Sequence, residues 1–118
     1  MTILPEITIE ELIARYPVLL LDAYGVLVNS SSALPGAAGL IDELNQTRKP
    51  YYLLTNDASK LPQTAAIRFQ NYGLAINPDR IITSGGLLKN YFIKHGLRDV
   101  RCAVLGPPDS KQYVAAAG

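Results

Sequence analysis

At 118 residues the chain is long enough for one ordinary domain with a core, but short for an α/β enzyme that carries both an active site and a lid. With 48% apolar residues, 18% charged residues and a net charge of +1, it reads as a folded soluble protein, and nucleic acid or an anionic membrane is unsupported as a main partner. The single cysteine, Cys102, excludes an intrachain disulfide framework and a thiolate metal cluster, which fits a reducing cytoplasm. Glu6, Glu10 and Glu11 stand where a leader would be basic, and no apolar run approaches the roughly 18 residues of a membrane span, so no processing is expected.

Along the chain, Thr8-Ile9-Glu10-Glu11 has the spacing of a capping box and predicts a short helix to about Tyr16, stopped by Pro17. Val18 to Leu21 is a continuous apolar run too short for a helix; it suits a strand of a parallel sheet covered on both faces, and it ends on Asp22. Gly25 lets the backbone turn sharply after it. Asn29 to Ser32 reads as a loop or the tip of a small hairpin continuing from Val26-Leu27-Val28. Pro35 suits a first helical turn, and Ala37, Leu40, Ile41 and Leu44 form one buried stripe of a crossover helix that Lys49-Pro50 ends.

Tyr51 to Leu54 is a second apolar run, closing on Thr55-Asn56-Asp57. Two strands separated by a helix of this length make a right-handed βαβ unit, so Asp22 and Thr55 belong at the same edge of a parallel sheet. The plan repeats with a helix from Pro62 carrying Leu61, Ala65, Phe69 and Tyr72 on one face and stopping at Gly73, then a strand Ile81-Ile82-Thr83. A further helix is expected with Leu87, Leu88, Tyr91 and Phe92 inward, ending at Gly96. Cys102 to Leu105 reads as a fourth strand with Cys102 in the core, and Asp109 as the N-cap of a last short helix. Tyr51, Tyr52 and Tyr91 fall at core spacings rather than forming a stacking platform, and His95 suits a helix C-terminus. The fold class is α/β, a Rossmann-like parallel sheet with crossover helices.

Open parallel sheets bind ligands beyond the carboxyl ends of their strands, where Asp22 and Thr55 would lie. A carboxylate can attack phosphorus and divide a hydrolysis into two displacements through an aspartyl-phosphate. Such a site needs donors for the phosphoryl oxygens, a divalent cation, a proton donor and a fixed positive charge. Thr55 offers a hydroxyl, the backbone N–H groups around Gly25 and Asn56 offer more, and Asp22 also suits Mg²⁺. The plainer alternative is that Asp22 caps the following turn.

Asp22-Ala23-Tyr24-Gly25-Val26-Leu27 resembles the first motif of the haloacid dehalogenase-like (HAD) hydrolase superfamily, Asp-x-Asp-Gly-x-Leu, and Leu53-Leu54-Thr55-Asn56 resembles its second. Leu34-Pro35-Gly36-Ala37, the run Thr55 to Lys60, Tyr72-Gly73-Leu74 and Ile82-Thr83-Ser84 resemble subclass IIA, which includes nucleotide, 4-nitrophenyl phosphate and pyridoxal phosphate phosphatases. The resemblance runs from about Val18 to Ser84 and thins toward Gly118, where Ala103-Val104-Leu105-Gly106 would open an inserted α/β cap. It implies an incomplete HAD-like core, with residues 1–96 its N-terminal part and 97–118 the start of the cap. It further implies Mg²⁺ and a small phosphorylated substrate, with Asp22 as nucleophile and metal ligand, Tyr24 giving its carbonyl to the metal, and Thr55 with the Asn56 amide binding the phosphoryl group.

Two departures shape the expectation. Tyr24 stands where the family's phosphatases have the Asp that protonates the leaving oxygen, and a phenol with a pKa near 10 is a poor base at neutral pH. Asp-Ala-Tyr-Gly also resembles the 2-haloacid dehalogenases, whose halide needs no proton, so dehalogenation is a rival reading. The family's lysine and acidic pair would follow the cap, and no candidates for them stand out before Gly118; Lys60, Lys89, Lys94 and Lys111 read as solvated helix-surface charges. The chain is therefore expected to lack turnover alone, a binding or assembly module remains a third reading, and a truncated sheet should self-associate through exposed apolar surface.

Overall fold

The computed structural model describes residues 3–118. In chain order it contains α1 (Ile9–Arg15), β1 (Leu19–Asp22), α2 (Ala37–Gln46), β2 (Tyr51–Thr55), α3 (Pro62–Asn71), β3 (Ile81–Thr83), α4 (Leu88–Lys94) and α5 (Pro108–Ala117), with 3₁₀ turns at Pro78–Arg80 and Gly85–Leu87. The strands form one parallel sheet in the order β1-β2-β3, with Leu19 opposite Tyr51 and Leu53 opposite Ile81. No tight turn can close a parallel step, so α2 and α3 return the chain to the start of the next strand. The α/β fold class expected from the sequence is the one observed.

Local signals set the helix ends. At α1 the Glu11 N–H donates to Thr8 Oγ1 at 3.2 Å and the Thr8 N–H donates to Glu11 Oε2 at 3.0 Å, the two halves of the capping box. At the end of α3, Gly73 adopts φ 84°, which lets its own N–H reach the Gln70 carbonyl at 3.0 Å and the Leu74 N–H reach the Phe69 carbonyl at 2.9 Å. That closure drops Leu74 into the core, where it is fully buried.

Period-two alternation places Leu19, Tyr51, Leu53 and Ile81 on one face of the sheet, all buried. They meet Ile41 and Leu44 of α2 and Ala65, Ala66 and Phe69 of α3. Tyr51 stays polar-satisfied in this core by donating from its hydroxyl to Asn45 Oδ1 at 2.9 Å, while the Arg80 guanidinium lies 4.4 Å from its ring centre. Burial pushes its phenol above the usual value despite the nearby Arg80 charge.

The opposite face departs from expectation. Leu20 is 61% exposed, Leu54 40% and Ile82 41%, so the continuous apolar strands are covered on one face only among the described residues. Both α2 and α3 pack on the same side, and a strand residue is buried only if an element lies over it. Other expectations are corrected too. Helix α2 starts at Ala37 after Gly36 at φ 84°, leaving Pro35 outside the first turn, and it ends at Gln46, before Lys49-Pro50. In α4 only Phe92 is buried; Leu87 and Tyr91 are exposed, as is Tyr52.

Cys102 to Leu105 is not a strand: no described strand runs beside it to accept its hydrogen bonds, Leu105 is wholly exposed and Cys102 lies on the surface, not in the core. Asp109 does not cap α5, whose N-cap is Pro107. Its carboxylate instead accepts from the Leu61 N–H at 3.0 Å and the Thr64 hydroxyl at 2.6 Å, capping the first turn of α3. Lys60 lies in the loop before α3, 3.7 Å from Asp57, not on a helix. No helix among the described residues is long and apolar enough to cross a membrane.

Candidate active site

Asp22 is the last residue of β1, paired in register with Leu54, so Thr55 lies one residue further along the neighbouring strand at the same edge. A groove of about 530 Å³ opens there, with Asp22, Thr55, Asn56 and Ser84 at its polar end and Leu20, Leu54, Ile82 and Leu87 along its apolar wall. Asp22 is exposed, and its Oδ1 accepts from the Ala23 N–H at 2.8 Å. It is the one charged residue lining the groove among those described. The strand ends are tied by the Ser84 N–H donating to the Thr55 carbonyl at 3.1 Å. Asp22, Thr55 and Asn56, singled out in the sequence, thus share one concavity.

Tyr24 and Gly25 belong to the adjoining hairpin and do not line the groove. Gly25, at φ 78°, donates its N–H to the Val28 carbonyl at 2.9 Å; Leu27 and Val28 fold back as buried residues, their N–H groups donating to the Ala23 carbonyl at 2.9 and 3.1 Å. Only glycine enters this left-handed region without strain. The expected loop tip is present: Asn29 Oδ1 accepts from the N–H groups of Ser31 and Ser32, both at 2.9 Å. The Tyr24 phenol is held by Arg68, whose Nη2 donates to it at 3.0 Å and to the Ser30 carbonyl at 3.2 Å.

Beyond Thr55 the loop to α3 is shaped by Asp57, whose Oδ1 accepts from the Ser59 N–H at 2.7 Å and the Ser59 hydroxyl at 2.5 Å. Burial tends to raise the Asp57 pKa, but the Ser59 bonds and the Lys60 charge outweigh it and hold the carboxyl below its usual range. The other side of the loop is met by α5. The Ser110 hydroxyl donates to the Ala58 carbonyl at 2.7 Å, and the Tyr113 hydroxyl donates to the Lys60 carbonyl at 2.6 Å. The Thr64 hydroxyl and then the Leu61 N–H pull Asp109 below the usual carboxylate value.

Could this donor set hold Mg²⁺? The described residues bring no group of three His, Cys, Asp or Glu side chains together. They do offer the exposed Asp22 carboxylate and, two residues on, the Tyr24 carbonyl, which accepts no backbone hydrogen bond among the described residues. Mg²⁺ keeps several waters and takes one or two carboxylates plus substrate oxygens, so these hard oxygen donors fit it as part of a shell. Sequence reasoning left Ser84 out of the site, although its place just past β3 follows from the same strand-edge rule that found Thr55. It also missed Tyr113 and Ser110, for which no local signal exists, since their partners lie 53 and 52 residues away.

The family model described as haloacid dehalogenase-like hydrolase matches residues 19–118. Among curated relatives, the chain is 29% identical to chronophin of Bos taurus over 93% of its own length and 35% of that protein's. It is 30% identical to dihydroxyacetone phosphatase of Corynebacterium glutamicum over 84% and 36%, respectively. The structure superposes on a 4-nitrophenylphosphatase from Thermotoga maritima with a TM-score of 0.74 and 26% identity, covering 89% of this chain and 40% of that one. The chain spans about a third of the length of the curated relatives it matches.

Proposed function

The chain belongs to the haloacid dehalogenase-like hydrolases, and on that premise we propose that it carries the nucleophile half of a Mg²⁺-dependent phosphatase acting on small phosphate esters in the cytoplasm. The observation that carries this reading is the exposed Asp22 carboxylate at the end of β1, sharing one groove with Thr55 and Asn56. Phosphatase relatives and the structural likeness to a 4-nitrophenylphosphatase support it.

In this reading the Asp22 carboxylate attacks phosphorus in line with the ester oxygen and forms an aspartyl-phosphate as the P–O bond breaks. With Tyr24 in place of an acid, the leaving oxygen departs as its anion and takes a proton from water, and a second water then cleaves the acyl-phosphate to release phosphate and regenerate Asp22. The Thr55 hydroxyl and the Asn56 amide hold the phosphoryl oxygens, and the Gly25 turn keeps the hairpin backbone beside Asp22. Mg²⁺, held by the Asp22 carboxylate and the Tyr24 carbonyl, would supply charge neutralisation for the phosphoryl oxygens. Residues 97–118 open a cap, and the positive charge and remaining acidic ligands are contributed by the rest of the full-length protein. The 118-residue chain alone is then without turnover.

The test uses the full-length protein with 4-nitrophenyl phosphate and Mg²⁺. Hydrolysis is expected, together with a rise in Tm on adding beryllium fluoride, and both should vanish in Asp22→Asn. Undiminished hydrolysis by Asp22→Asn overturns the assignment of the nucleophile, and robust hydrolysis by the 118-residue chain overturns the need for the remainder. Dehalogenation is favoured by one observation, the Tyr24 phenol engaged by Arg68 at 3.0 Å rather than lining the groove, since a halide leaving group needs no acid. Halide release from a 2-haloacid without Mg²⁺ would establish that reading instead.

A further inference from the structure

Helix α5 touches the loop that follows Thr55 at several points, and the bonds form a directed chain. A carbonyl cannot donate, so the single Tyr113 hydroxyl proton goes to the Lys60 carbonyl at 2.6 Å. The Thr83 hydroxyl, 2.6 Å from the same oxygen, must therefore donate to Tyr113, and it accepts in turn from the Gly86 N–H at 3.1 Å. One relay thus runs from the end of β3 through α5 to the loop before α3. Thr83 is 3% exposed and Tyr113 8%, so water does not stand in for either partner.

The ring has a shaped seat. A Cβ on Gly85 would lie 2.6 Å from Tyr113 Cε2, so only glycine admits the ring at this depth. One turn earlier on α5, Ser110 donates to the Ala58 carbonyl at 2.7 Å, and Asp109 accepts from Leu61 and Thr64. Apart from the short Asp57 turn, the side-chain bonds that fix residues 58–61 come from α5.

We propose that α5 is a clamp on the loop after Thr55, with Tyr113 and Asp109 as positioning residues that hold the Asn56 amide and the Thr55 strand end in the arrangement that receives a phosphoryl group. The clamp's bearing on the site rests on the phosphatase reading above; its existence as a loop-ordering device does not. Because α5 lies in the segment assigned to the start of the cap, its ordering couples that segment to the edge of the sheet.

Hydrogen exchange read by mass spectrometry on the 118-residue chain decides it. Tyr113→Phe keeps the ring in its seat and removes only the hydroxyl. Within residues 56–61 it should speed exchange of the Ser59 and Leu61 amides, the two that donate hydrogen bonds, by about tenfold while residues 51–54 stay unchanged, a local opening. Asp109→Ala should act likewise, whereas Asp109→Asn, which still offers an acceptor oxygen to Leu61, should keep most of the protection. Unaltered exchange of 56–61 in both Tyr113→Phe and Asp109→Ala, or an acceleration spread equally over 51–54, overturns the clamp. In full-length protein the beryllium fluoride response should weaken in Tyr113→Phe; an equal response in both proteins overturns the coupling to the site. If the wild type gives no response at all, the phosphatase reading fails, while the exchange pattern still decides the clamp.

Discussion

The two faces of the sheet are built from the same kinds of residue and meet opposite fates. On one, Leu19, Tyr51, Leu53 and Ile81 are sealed beneath α2 and α3; on the other, Leu20, Leu54 and Ile82 are 61%, 40% and 41% exposed, and the groove beside Asp22 runs across them. The difference teaches that apolar character in a strand states a demand for cover without saying what meets it. It also puts the candidate site against the bare face, so whatever covers that face shapes the site.

The largest effect should come from exchanging neighbours across the sheet. Leu53→Ala removes a fully buried side chain and should cost about 2–5 kcal/mol in chemical denaturation, while Leu54→Ala, next along the strand, should change stability by no more than about 0.5 kcal/mol. Equal costs would break the comparison by showing that the second face is covered in solution. Tyr113→Phe comes next, as a local effect: the Thr83 hydroxyl loses its buried acceptor and protection of the loop after Thr55 should fall by about tenfold. A loss in chemical denaturation as large as that of Leu53→Ala would instead make the bond part of the covered core.

Thr8→Ala should cost about 1 kcal/mol, seen as fraying of α1 alone, since no residue of that helix is buried; loss of protection in β1 would give α1 a part in the covered face. Replacing Leu20 and Ile82 by serine should leave stability nearly unchanged and lower self-association in a sedimentation concentration series, and identical sedimentation would show that the bare face drives no association. The smallest effect is on pH. The folded Asp57 pKa is depressed, so its contribution is present above the ordinary unfolded carboxylate value and is lost as pH falls through the lowered folded value. For a pair this near the surface it amounts to under about 1 kcal/mol, and Asp57→Asn should flatten acid unfolding curves by that much.

Much of the fold was legible where the signal was short in range. The Thr8–Glu11 box, the Gly73 stop and the runs ending at Asp22 and Thr55 each depend on residues within a turn or a strand of one another, and each appears where the pattern puts it. The shared edge of Asp22 and Thr55 was also legible, because a parallel connection through a helix leaves both strand ends on the same side. Cys102 to Leu105 has the same apolar look as β2 and forms no strand, since a strand also needs a neighbour with a free edge in reach. Asp109 carries the local mark of an N-cap, yet its carboxylate serves α3.

By itself, then, the sequence determined the alternation of strands and helices, the helix ends and the two motifs that set Asp22 beside Thr55, because dihedral preference, capping and periodicity act over a few residues. Only the tertiary structure decided that one face of the sheet is covered and that α5 folds back to grip Ala58, Lys60 and Leu61, because those contacts join residues 48 to 53 apart and form only when separately folded elements pack.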